Sequence, residues 1–273
     1  MTIKSSGNPL AFSEIETEFG ANGTRSLGSY RITQSVGTLS NLPLDTGIPS
    51  SGQIKFSDFY GKQLNIVVDC HSGGREDRIT AKNDKWNNNN LTVIGGFRSK
   101  KEGGSKIYIN VNKKFCSDKF NVNNCALKTG SWDSTATVQV DLGSNAKVFG
   151  AGGDGGNGAN GINNSGSPGG SGTSGLGIDS NNVTVNVASG AIIRAGFGGG
   201  GGGGGGNNAN QAYGASGGSG ANLGGNAGGG GNSQTGGGGA GGNGAAIRRN
   251  SGFSVTINNS GTITGDTSAT GVG

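Results

Sequence analysis

The chain has 273 residues, 62 of them glycine, with 30% hydrophobic residues, three cysteines and a net charge of +5. Glycine normally makes up about 7% of a protein, so an ordinary side-chain core throughout is excluded, while the irregular glycine spacing and only four prolines exclude collagen. No run approaches the roughly 18 apolar residues of a membrane span, and Met1–Leu10 lacks the apolar centre of a secretory leader.

The opening segment, 1–62, contains a doubled motif. Ser5-Ser6-Gly7 leads to Phe12-Ser13-Glu14-Ile15, and Ser50-Ser51-Gly52 leads to Phe56-Ser57-Asp58-Phe59-Tyr60-Gly61-Lys62. Each copy reads as an extended piece followed by a capped helical turn. Ser13 and Glu16 have the spacing of a capping box, Ser57 is the expected cap of the second turn, and Gly20 and Gly61 are the expected stops. Arg25–Tyr30 suggests another short helix. Pieces this short bury little apolar area alone, so the segment is expected to dock on a partner surface through Phe12, Ile15, Phe19, Phe56, Phe59 and Tyr60.

The middle segment, 63–149, reads as strands. Leu64–Val68, Leu91–Ile94, Ile107–Val111 and Thr135–Leu142 are β-branched or alternate in polarity. The expectation is a small antiparallel β-sandwich. This segment also carries the whole positive excess, in a run through Lys100, Lys101, Lys106, Lys113, Lys114 and Lys119. Without aromatic platforms or a recognisable module, that run reads as a solvated surface rather than a nucleic-acid site. Contact with an anionic surface is the alternative.

The last segment, 150–273, is glycine-rich and repetitive. Val138-Gln139-Val140, Val183-Thr184-Val185 and Val255-Thr256-Ile257 each lead through a Ser/Asn/Gly turn to a second short strand. Such turns favour hairpins. Between them lies a tract with 40 glycines in 151–244, including nine in succession from Gly198 to Gly206. The interspersed Leu176, Ile178, Ile192, Ile193, Phe197, Tyr213 and Leu223 argue against a linker. The expectation is therefore a bundle of polyglycine type II helices bracketed by β-hairpins, with glycine permitting backbone-to-backbone contact. The fold class is mainly β. Loops at the ends of the bundle, with Asn207, Asn208, Asn210, Gln211 and Tyr213 in one and Asn163 and Asn164 in another, are candidates for recognising a receptor.

No catalytic set assembles. His71 has no evident nucleophile partner, the glycine runs lack the ending of a phosphate loop, and Asp69, Glu76, Asp77 and Asp84 are scattered acids of the kind that any β domain carries. Cys70, Cys116 and Cys125 are an odd number without a CxxC pair. They read as idle or buried thiols, with a Cys116–Cys125 bridge as the alternative. No metal and no cofactor is expected.

The run from Ser50 to Lys62 resembles a segment of virion structural proteins of tailed phages, especially myoviruses of marine bacteria, and Phe12–Gly20 looks like its companion half. The tract clearest at Ile192–Gly206 is similar to phage tail-fibre proteins and the glycine-rich tip adhesins of T-even-type fibres. Ala126–Trp132 also looks like tail-fibre sequence. The resemblance implies a non-enzymatic tail or tail-fibre protein of the virion, an adhesin contacting the host surface. Its implied partners are other tail or fibre proteins and a host surface glycan or outer-membrane protein. Nucleic acid and membrane insertion are not implied, and a homo-trimer is one assembly it allows. The other readings are an architectural baseplate component and an ice-binding or other glycine-helix protein.

Overall fold

The computed structural model describes residues 3–19, 26–31, 45, 47–49, 51–63, 65–69, 106–117, 123–130, 132, 134–159, 164–202 and 237–272. Among them are one α-helix, α1 (Phe12–Phe19), 3-10 turns at Leu27–Arg31 and Phe56–Phe59, and thirteen strands.

In the opening module the short pieces bury one another. Ile3, Ile15, Phe19, Tyr30, Ile48 and Phe59 form a closed cluster, with Leu10, Phe12, Leu27 and Ile54 packed against it. The rings of Phe19, Tyr30 and Phe59 meet pairwise at about 6 Å in tilted or edge-on geometry, an arrangement favoured by their quadrupoles. The doubled motif has one mechanism in both copies, but the serines are not the caps. The Glu14 carboxylate accepts the Ala11 N–H at 2.7 Å, and the Asp58 carboxylate accepts the Lys55 N–H at 2.7 Å. Each helical turn thus begins earlier than its serine, and the acid three residues on satisfies an N–H at the start. The Tyr60 hydroxyl donates to the Asn8 carbonyl, and Ile3 and Lys62 bond through their backbones, tying the two copies together.

The strands that follow are all parallel. They are β1 (Asn65–Asp69), β2 (Lys106–Val111), β3 (Lys114–Cys116), β4 (Cys125–Lys128), β5 (Thr137–Leu142), β6 (Lys147–Phe149) and β7 (Ser174–Ile178). The rest are β8 (Val183–Val187), β9 (Ile192–Arg194), β10 (Ile247–Arg249), β11 (Val255–Asn259), β12 (Thr262–Thr264) and β13 (Ala269–Thr270). The first sheet has the order β1-β2-β5-β8-β11, the second β3-β6-β9-β12 and the third β4-β7-β10-β13. Each successive trio adds one strand to each sheet. The chain therefore winds as a three-sided parallel β-helix, with complete turns starting at β2, β5, β8 and β11.

This overturns two parts of the sequence expectation. The middle segment is not an antiparallel sandwich, because strands on both sides of residue 150 share the same three sheets. The last segment is not a bundle of polyglycine type II helices bracketed by hairpins, because its described residues carry no assigned helix and β5 does not pair with β6, nor β8 with β9. The reason lies in the apolar pattern. Val138, Val140, Leu142, Ala146 and Val148 all face one core, as do Val183, Val185, Val187, Ala191 and Ile193. The bend between the strands turns a corner without changing the buried face. Each repeat then stacks on the next, Val138 on Val183, Val140 on Val185 and Val148 on Ile193. Stacking of like residues turn upon turn buries a continuous core that one repeat could not bury alone.

The glycine segments are insertions at the corner between the second and third sheets. One leaves after β6 and returns at β7, and the other leaves after β9 and returns at β10. Four of their stretches lie side by side, joined by backbone bonds every three residues. The outgoing stretches pair in parallel: Gly150, Gly153 and Gly156 donate to Arg194, Phe197 and Gly200. Ser167, Gly170 and Thr173 donate to Asn157, Asp154 and Ala151, closing the first insertion on itself. Gly238, Gly241 and Gly244 donate to Gly202, Gly199 and Gly196, closing the second. A diagonal set, Gly196, Gly199 and Gly202 to Thr173, Gly170 and Ser167, ties one insertion to the other. The result is a fin continuing outward from that corner.

Glycine is required here by close approach. A Cβ on Gly196, Gly199 or Gly202 would fall closer than 3.0 Å to the carbonyls of Ala151, Asp154 and Asn157, and one on Gly198 or Gly201 would strike those of Gly241 and Gly238. Gly239 differs, since a Cβ there meets nothing within 4 Å. Gly199→Ala should therefore lower stability by about 3 kcal/mol or more, the upper range for overpacking. Gly239→Ala should change it by less than about 1 kcal/mol. Parallel urea melts of the two variants check this, and equal midpoints would contradict the close-packed fin.

Candidate functional site

The ladder rungs place the far end of the fin. Gly150, Thr173, Gly196 and Gly244 lie beside the strands, while Asn157, Ser167, Gly202 and Gly238 lie at the opposite end of the same bonded array. The segments 158–166 and 203–237 thus begin and end there. Side chains reinforce the array at both ends: at the far end the Ser167 hydroxyl accepts the Asn157 N–H at 2.7 Å, and near the strands the Asn243 amide oxygen accepts the Gly198 N–H at 3.0 Å. Asp154, Asn157, Ser167, Pro168, Ala240 and Asn243 of these stretches are all exposed.

Of the receptor candidates, Asn164 is exposed between the two feet of the shorter loop. Asn163, Asn207, Asn208, Asn210, Gln211 and Tyr213 lie outside the described residues. The docking candidates separate by role. Ile15, Phe19 and Phe59 are fully buried in the module's own cluster, with Phe12 partly buried against it. Tyr60 is half-buried with its hydroxyl bonded. Phe56 is 41% exposed and is the large apolar side chain that the described surface presents. It stands edge-on to Phe12 at 6.0 Å. The module meets the β-helix through Asp45, whose carboxylate accepts the Gln63 N–H at 2.8 Å and lies 3.8 Å from the Lys106 ammonium.

Two polar clusters that the sequence did not suggest brace the β-helix. On the third sheet the Arg248 guanidinium donates to the Ser174 hydroxyl, the Asn123 amide oxygen and the Thr270 carbonyl, spanning neighbouring turns. At the corner leading back to the first sheet, the Thr129 hydroxyl donates to Asp179 and accepts its N–H, while the Trp132 indole donates to the Thr129 carbonyl. Apart from the local Trp132–Thr129 bond, these bonds join residues 22 to 125 positions apart, so no local pattern announces them.

Cys116 and Cys125 lie in β3 and β4, on different sheets, and form no disulfide with each other. The alternative of a bridge between them is therefore not realised. Cys70, His71, Glu76, Asp77 and Asp84 lie outside the described residues, and Asp69 ends β1 opposite Asn110 of β2. Among the described residues no cluster of His, Cys, Asp and Glu could hold a metal ion, and no helix is long and apolar enough to cross a membrane. No known family model, curated protein or solved structure matches the chain.

Burial pushes the Cys125 thiol up to about 12. Its thiolate fraction at pH 8 is then about one part in ten thousand, and only the thiolate alkylates readily. Iodoacetamide at pH 8 should leave Cys125 unmodified in the folded protein and modify it in guanidinium chloride, as read by peptide mass spectrometry. Rapid labelling of the native protein would show the site to be open.

Proposed function

We propose that the protein is a non-enzymatic tail or tail-fibre component of a phage virion, an adhesin that meets the host surface through loops at the far end of its glycine fin. The observation that carries this reading is the bonded array of four glycine stretches. It fixes the feet of two amide-rich loops on a scaffold whose own side chains are nearly absent. Recognition loops on a rigid support lose less freedom on binding than loops on a mobile one. The likeness of Ser50–Lys62 and Ile192–Gly206 to phage tail sequences supports the same reading.

The division of labour follows from burial. In the opening module the buried aromatic residues serve its own fold, and exposed Phe56 is the contact offered to the virion. The fin is the contact offered to the cell, where a glycan or an outer-membrane protein is the partner. A purely architectural role would leave its loops without a binding partner.

Labelled protein should bind host cells saturably and compete with phage adsorption. Gln211→Ala and Tyr213→Ala should reduce that binding about tenfold or more without shifting the melting temperature. Phe56→Ser should leave both folding and cell binding unchanged and lower incorporation into virions. Absence of saturable cell binding, with virions failing to assemble when the protein is missing, would replace the adhesin by an architectural part.

A further inference from the structure

We propose that the outer face of the first sheet is a second binding site, a groove for a neutral oligosaccharide, separate from the fin. The sheet buries Ile107, Val138 and Val183 inward and turns the alternate residues outward. Those outward residues line up across the turns. Tyr108, Gln139, Thr184 and Thr256 occupy one register row, and Asn110, which is itself fully buried, Asp141, Asn186 and Asn258 the next. The first row, with Lys106, Thr137, Asn182 and Ser254, lines an open groove of about 520 Å³, within the usual range for ligand sites.

The chemistry of the first row is specific. Across β2, β5, β8 and β11 it offers one phenol ring, one amide and two hydroxyls. Strand spacing sets these groups about 4.8 Å apart, a comb of donors and acceptors matched to a chain of sugar rings bearing regularly spaced hydroxyls. The second row holds the comb in place. The Gln139 amide nitrogen donates to both Asp141 oxygens at 3.0 and 2.9 Å, Asn186 donates to Asp141 at 2.7 Å, and Asn258 donates to Asn186 at 2.8 Å. With its nitrogen committed, Gln139 presents its carbonyl oxygen as an acceptor.

Tyr108 is half-buried, and burial first, then the Asp45 and Asp141 carboxylates, hold its phenol above the ordinary value. It therefore stays neutral at physiological pH, a hydroxyl donor on a ring that can stack on a sugar face. The cation at the end of the groove, Lys106, already lies 3.8 Å from Asp45. The groove lacks the unopposed positive charge that nucleic acid requires. With a single phenol as its large apolar contact, it also lacks the aromatic anchors of a peptide groove.

This site does not rest on the adhesin reading, and its test needs no host cells. The purified full-length chain is run by affinity electrophoresis through gels containing dextran, xyloglucan or galactomannan, all of them uncharged. At least one polysaccharide should retard it. Gln139→Ala and Tyr108→Ala should weaken that retardation about tenfold. Exposed Thr256→Lys, which obstructs the groove without touching the core, should do the same at an unchanged melting temperature. Retardation by none of the three, or undiminished retardation of Thr256→Lys and Gln139→Ala, overturns the proposal. So does retardation lost in Tyr213→Ala but kept in Gln139→Ala, which would assign the sugar to the fin loop.

Discussion

Backbone hydrogen bonding between successive turns of the chain is the interaction on which the whole molecule rests. In the three sheets it is the ordinary parallel ladder, kept in register by like apolar residues stacked in the interior. At one corner the side chains disappear and the bonding continues. Gly150 donates to Arg194 at the end of β9, and from there the same parallel relation runs out through Gly153 and Gly156. The fin is thus the second and third sheets prolonged beyond the point where an apolar core can follow. The main chain must satisfy itself, because no side-chain packing remains to offset the ordering entropy of glycine.

Much of this was legible, though not its arrangement. The strands at Ile107–Val111 and Thr135–Leu142 are where their alternation predicted them, and the short helix near Leu27 is present. The triple repeat of strand, turn and strand was visible too. What the local pattern could not distinguish was a reversal from a corner, since Ser/Asn/Gly turns serve both. The distinguishing feature was there in principle: Leu142, Ala146 and Val148 keep one buried face across the bend, whereas a tight hairpin would place β5 beside β6. Internal repeats that bury the same positions in each copy point to stacking. The capping of the opening helices was misplaced for a similar reason. Ser13 and Ser57 look like caps, but the preceding phenylalanines already belong to the helical turns, and the caps fall to Glu14 and Asp58.

The site was legible only in outline. Density of glycine and its interruption by Phe197 and Ile192 indicated ordered packing, yet the three-residue period that dictates which glycines are indispensable emerges only when the neighbouring stretches are seen together. The docking residues show the opposite difficulty. Ile15, Phe19 and Phe59 have the composition of an interface, but buried aromatic residues of a small core have the same composition. Separating them needs the tertiary contacts that leave Phe56 outside. The register rows of the first sheet, Tyr108 to Thr256 and Asp141 to Asn258, unite residues far apart in sequence and have no local signature.

The diagonal bonds from Gly196, Gly199 and Gly202 to the first insertion have a bearing on how such a protein can change over generations. A deletion of one residue in any stem would shift every later carbonyl out of phase with its neighbours. Lengthening must therefore come in triplets and in several strands of the array together. The constraint grips the stretches 150–157, 167–173, 196–202 and 238–244 as one unit. The stems are thereby held to a fixed metre, and any change of their length must be made in step.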